Sequence, residues 1–138
     1  MSKPTNSELE ILRVLWNGGP QTVRSVNELL NQQRAASDKE IGYTTTLKLM
    51  QIMHNKGFLQ RHREGKTHIY QAAITEKATQ QQLIDRLLDT AFHGSAMKLV
   101  MQTLGSRKSS PEELDEIRRF LDELEDQATD NSSNQVGS

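Results

Sequence analysis

Apolar residues recur at three- and four-residue spacing along most of this chain, and in one segment the period shortens towards two. Leu9, Leu12, Leu15 and Trp16 form one face of a helix over 6–17. Thr5-Asn6-Ser7-Glu8 ahead of it has capping-box spacing, and Gly18-Gly19-Pro20 stops it. Val23, Val26, Leu29 and Leu30 predict a second helix over 23–34, capped by Thr22. A polar connector, 35–41, leads to a third helix that starts at Tyr43 or Thr44. It ends at Gly57, a residue suited to the left-handed conformation after a helix. Phe58 to Ile74 holds two short segments of partial alternation joined by Glu64-Gly65-Lys66, which predicts a β-hairpin with Gly65 at its tip. Three helices and a hairpin, in that order, make a winged helix-turn-helix, in which the third helix enters a DNA groove.

The helical period then resumes. Thr75 caps a helix of about 76–93 whose stripe contains Leu83, Ile84, Leu87, Leu88, Ala91 and Phe92, and Gly94 breaks it. Ser95 caps a shorter helix with Leu99, Val100 and Leu104 on its inner face, ending at Gly105. Ser110-Pro111-Glu112-Glu113 opens the last helix with a cap, a proline in the first turn and acids at its positive end. Leu114, Ile117, Leu121 and Leu124 follow at 3-4-3 spacing, with Phe120 beside them. Residues 128–138 have almost nothing to bury and are expected to be disordered. Some 50 residues with long apolar stripes make a poor lone core. Two copies that interdigitate solve this, through Leu83, Leu87, Phe92, Leu99, Leu104, Leu114, Ile117, Leu121 and Leu124. The competing arrangement folds these helices back on the first domain of the same chain. The expected class is mainly α with a small β-hairpin: a winged helix-turn-helix over 1–74, a helical dimerisation domain over 75–127, and a tail over 128–138.

The third helix carries the candidate chemistry. At 100° per residue, Thr46, Leu49, Met50 and Met53 share one side. Thr44, Lys48, Gln51 and Asn55 share the other, with Thr45 and Ile52 on its flank. Hydroxyls, amides and a cation can bond base edges or phosphates in a major groove. Thr44, Thr45 and Lys48 are the first candidates, and Gln51 and Asn55 lie lower on the same face. Tyr43 stands either on a phosphate or as a staple at the helix start; the sequence supports both equally. Arg61, Arg63 and Lys66 near the hairpin tip are candidate phosphate contacts of a wing. A solvated, capped surface helix remains the plain alternative for this stretch.

Net charge of −1 argues against nucleic acid until the chain is divided. Residues 1–74 hold ten Lys/Arg against six Asp/Glu, a net of +4, while 75–138 hold seven against twelve, a net of −5. Cysteine is absent, which excludes disulfides, thiol catalysis and cysteine-based metal sites. His62 and His68 are placed across the hairpin from each other, but no further ligands converge to complete a zinc site. His54 and His93 read as helix-surface or element-end residues, and Trp16 and Tyr70 as core or wing supports. There is no glycine-rich phosphate loop and no serine–histidine–acid constellation, so neither an enzyme nor a cofactor is expected. No apolar run approaches the ~18 residues of a membrane span, and the N-terminus has no signal-peptide core. A cytoplasmic protein is expected. A winged-helix module that binds protein without specific DNA binding is the alternative from another class; it would expose a more apolar third helix.

Several stretches together are similar to the penicillinase-repressor family of bacterial transcription regulators, the BlaI/MecI/CopY type. They are Ser7-Glu8-Leu9-Glu10-Ile11-Leu12 through Leu15-Trp16, Tyr43-Thr44-Thr45, Lys56-Gly57-Phe58, Ile69-Tyr70 and Pro111-Glu112-Glu113-Leu114. The resemblance spans residues 5 to about 125. It implies a homodimeric repressor that binds double-stranded DNA at a palindromic operator and is released by an input signal. In β-lactam-responsive members that signal is proteolysis at an Asn-Phe site; the similar position here is Gln102-Thr103, which lacks the aromatic. Copper-responsive relatives use a cysteine cluster, which this chain cannot form. Ile52 stands where relatives often carry Arg, which removes a basic contact.

Overall fold

The computed structural model describes residues 3–136. Helix α1 (Asn6–Gly18) opens on a reciprocal cap: the Thr5 hydroxyl accepts from the Glu8 N–H, and the Glu8 carboxylate accepts from the Thr5 N–H. Helix α2 (Val23–Gln33) starts at Thr22, whose hydroxyl accepts from the Ser25 N–H. Helix α3 (Tyr43–Asn55) packs against both, with Thr46, Met50 and Met53 buried and Leu47 and Leu49 half-buried. Ile11, Leu12, Val14 and Leu15 of α1, Val26 and Leu30 of α2, and the two α3 methionines form one core with Phe58, Leu59 and Tyr70. This core is mostly aliphatic side chains and methionine, with Phe58 and Tyr70 as its aromatic members.

Strands β1 (Leu59–Glu64) and β2 (Thr67–Ala72) pair antiparallel. Gly65, at φ 63°, begins a two-residue loop whose first position asks for positive φ. Tyr70 also exchanges backbone hydrogen bonds with Gln21, which ties the hairpin to the α1–α2 connection. The register corrects the histidine placement. His62 lies opposite Ile69, and His68 lies opposite Arg63. A one-residue offset puts His62 and His68 on opposite faces of the ribbon.

Trp16 donates its indole N–H to the Ile74 carbonyl at 2.9 Å, fixing the chain just before helix α4 (Glu76–Ala91). Thr79 in the first turns of α4 is buried, and Leu83 lines a groove with Leu9 and Trp16. The first compact unit runs to Asp89 and so includes most of α4. The second unit begins at Thr90 and holds helices α5 (Ala96–Ser106) and α6 (Pro111–Val136). Helix α6 continues through 128–136, where disorder was expected. Low hydrophobicity predicts little burial, but a helix already nucleated by a capped start can propagate at small cost per residue. The remaining two residues of the expected tail, 137 and 138, lie outside the described residues.

Candidate nucleic-acid interface

Side chains from α1 and α2 set the position of α3 at both its ends. At its start, the Asn27 amide donates to the Thr46 hydroxyl and to the Ile41 carbonyl, both at 2.9 Å. Asn31 accepts from the Ile41 N–H at 2.8 Å and donates back to the Ile41 carbonyl at 3.0 Å. The polar connector is therefore fastened to α2 immediately before the helix begins. At the far end, Gly57 has φ 87°, its N–H donates to the His54 carbonyl, and the Phe58 N–H donates to the Met53 carbonyl. That bond pattern is a Schellman closure, and buried Phe58 and Met53 supply its apolar contact.

Lys56, the residue capping α3, donates to the Glu8 carboxylate at 2.9 Å and lies 5.7 Å from the Phe58 ring centroid. The Glu8 side chain is only 2% exposed. Burial alone would raise its pKa; the Thr5 N–H bond and then the Lys56 ammonium outweigh this and hold the carboxyl below its ordinary value. Thus Lys56, counted by sequence among the basic residues of the front, is paired with a buried carboxylate.

Thr44, Thr45, Lys48, Gln51 and Asn55 are all exposed along one side of α3, opposite the buried methionines. Ile52 lies within the same arc and is 38% exposed. Tyr43 is exposed, with the Arg24 guanidinium 5.6 Å from its ring centroid. The α3 start is preceded by Gly42 and receives no side-chain cap. The other helices begin on hydroxyls of Thr5, Thr22, Thr75, Ser95 and Ser110 that accept from their first-turn N–H groups. The α3 amides thus keep their positive end open at the surface.

Arg61, Arg63 and Lys66 are exposed on the hairpin. Arg61 lies opposite Tyr70 and Arg63 opposite His68, so both share the ribbon face of buried Leu59 and Tyr70. The Arg61 guanidinium reaches the Tyr70 hydroxyl at 3.4 Å. Between this hairpin, the α2 start and the α3 start lies a crevice of about 450 Å³, lined by Arg24, Tyr43, Lys66, Thr67 and His68 among others. Sequence reading missed Arg24. Its signal was a cation in the first turn of a helix, where the macrodipole disfavours positive charge unless another role holds it there.

In the second unit no residue from 90 to 131 is buried. Phe92, Leu99, Leu104, Leu114 and Ile117 are half-buried, while Met97, Met101, Phe120, Leu121 and Leu124 are exposed, Phe120 at 57%. Of the remaining interface candidates, Leu87 is exposed and Leu83 half-buried on α4. Gln102 and Thr103 lie within α5, where a protease would first have to unwind the helix. Among the described residues, no three His, Cys, Asp or Glu side chains gather as a metal site would require, and no helix is long and apolar enough to cross a membrane.

The sequence model of the penicillinase repressor family matches residues 4–123. Among similar proteins, the penicillinase repressor of Bacillus licheniformis is 27% identical over 119 residues, covering 86% of this chain and 89% of that protein. The methicillin resistance regulatory protein MecI of Mammaliicoccus sciuri is 21% identical over 117 residues, covering 85% and 91%. A solved transcriptional regulator from Thermotoga maritima aligns with 94% of this chain and 79% of its own at 17% identity, with a TM-score of 0.46.

Proposed function

This chain belongs to the penicillinase repressor family, and from that premise we propose that it is a homodimeric repressor that occupies a palindromic operator. The exposed polar arc of α3 carries the reading. Thr44, Thr45, Lys48, Gln51 and Asn55 face outward together, beside an uncapped helix start that favours phosphate. In this reading Tyr43, Arg61, Arg63 and Lys66 take backbone phosphates on either side of the groove. The front as far as Ile74 does the DNA binding, and 75–127 does the pairing. Two-fold symmetry then presents two α3 helices to half-sites one helical turn, or a multiple of it, apart. The second unit supports pairing because its apolar stripes are at most half-buried among the described residues of a single chain. Repression by occupancy of DNA requires no catalytic group and no cofactor.

A mobility-shift titration with a duplex from the protein's own promoter region, at two salt concentrations, tests this. Specific retardation that weakens steeply with salt is expected. Absence of any specific shift at low salt would sink the reading and favour a protein-binding module. Within the assay, Lys48→Ala should cost roughly 1–3 kcal/mol on operator DNA and less on unrelated DNA. Equal losses on both would assign Lys48 to phosphate alone. Arg24→Ala should weaken binding on every duplex and lower the slope of log K against log salt by about one. An unchanged slope would leave Arg24 as a packing partner of Tyr43.

A further inference from the structure

We propose that Ile52 reads a thymine, packing its side chain against the base's 5-methyl group in each half-site; the assignment rests on the operator-binding reading above. Ile52 follows Thr45 by seven residues and Lys48 by four, so it lies about 20° and 40° around the helix from them. It therefore points where they point. It is 38% exposed and takes no part in the core that Leu47 and Leu49 of the same helix join.

An isoleucine here gains nothing from water. Its β-branch also makes it a weaker helix former than most residues that suit an exposed position. The same branch holds χ1 in one strongly preferred rotamer, so the apolar surface is already aimed before any ligand arrives. Its near neighbours on the outward arc, Thr45, Lys48 and Asn55, are polar, and the adjacent Leu49 is half-buried against the core, so Ile52 is a small apolar point and no docking patch for a protein. The major groove offers one methyl group, on C5 of thymine, and otherwise hydrogen-bonding edges that an isoleucine cannot use. Apolar surface at this point of a groove-facing arc matches that one feature.

The test uses the full chain and the duplex it selects from a random pool. Each thymine is replaced singly by deoxyuridine, which removes only the methyl. At one position, repeated by symmetry in the other half-site, the wild-type protein should lose about fourfold per half-site, from the ~0.8 kcal/mol of a buried methyl-sized group. Ile52→Ala, at an exposed position with better helix propensity, should bind the thymine and uracil duplexes equally there. Identical uracil effects in both proteins at every position overturn the assignment while leaving operator binding intact. A pool that yields no preferred sequence overturns the repressor reading, and Ile52's role with it.

Discussion

Replacing Ile117 and Leu121 together by aspartate is expected to leave a monomer whose affinity for operator DNA has fallen by about a hundredfold or more. The two residues sit on the 3-4-3 stripe of α6 with Leu114 and Leu124, a spacing that places them on one seam of a paired helix. Ile117 is half-buried and Leu121 is 56% exposed in the single chain, so both keep apolar surface that a second copy can cover. In a two-fold interface each substitution occurs twice. Four carboxylates would then enter a surface that the proposed pair desolvates, each at a cost of several kcal/mol if left unpaired. The helix already carries many acids, so no nearby surplus of cations can relieve them. Sedimentation reads the first consequence and a mobility shift the second. The affinity loss follows because a monomer binds one half-site without the effective concentration that a linked second site provides. A variant that sediments as a dimer and keeps its affinity would place the interface away from the α6 seam.

Much of the fold is legible in the sequence because its signals are local and redundant. Thr5 with Glu8, Thr22, Ser95, and Ser110 ahead of Pro111 mark starts through side-chain oxygens that satisfy first-turn amides. Gly57 and Gly65 mark ends and turns through backbone conformations that a side chain resists. The buried and exposed sides of α3 follow from a period that few tertiary forces can override. The end of helix α6 is different. Composition reports few apolar residues over 128–136, and a lack of them does not by itself stop a helix that has begun.

The candidate interface is less legible, because its parts meet across long sequence distances. Nothing local in Thr22-Val23-Arg24 indicates that Arg24 lies over Tyr43, nineteen positions later, at the mouth of the crevice with Lys66 and His68. Nothing local in Lys56-Gly57-Phe58 indicates that the lysine turns inward to Glu8. Charge counting treats Lys48 and Lys56 alike, whereas the fold exposes one on the outward arc and engages the other. Strand register is similarly unforgiving. A shift of one residue separates His62, beside Glu64 at 3.3 Å, from His68, which stacks edge-on to Tyr70.

The Glu8–Lys56 pair carries an expected effect on the stability of the first unit that depends on pH. Glu8→Ala removes the carboxylate that accepts from the Thr5 N–H and from Lys56, so half of the α1 capping box and the tie to the end of α3 are lost together. A lost cap costs ~1 kcal/mol. Breaking a wholly buried pair costs 3–5 kcal/mol, but Lys56 keeps 36% exposure and can return to solvent, so the second loss is discounted to about 1 kcal/mol. The expected total is ~2 kcal/mol, read as a fall in Tm of about 8–16 °C for a unit that ends at Asp89. The sign with pH follows from the depressed Glu8 pKa. Its contribution is fully present above the unfolded value of ~4.3 and is lost as pH falls through the lower folded value. Wild-type stability should therefore decline over that acidic window by more than the Glu8→Gln variant's does. Lys56→Met separates this tie from DNA contact: it should lower Tm yet leave the salt slope of DNA binding unchanged, because Lys56 spends its charge on Glu8. A reduced slope with an unchanged Tm would return Lys56 to the DNA-facing set and deprive Glu8 of its role in fixing the end of α3.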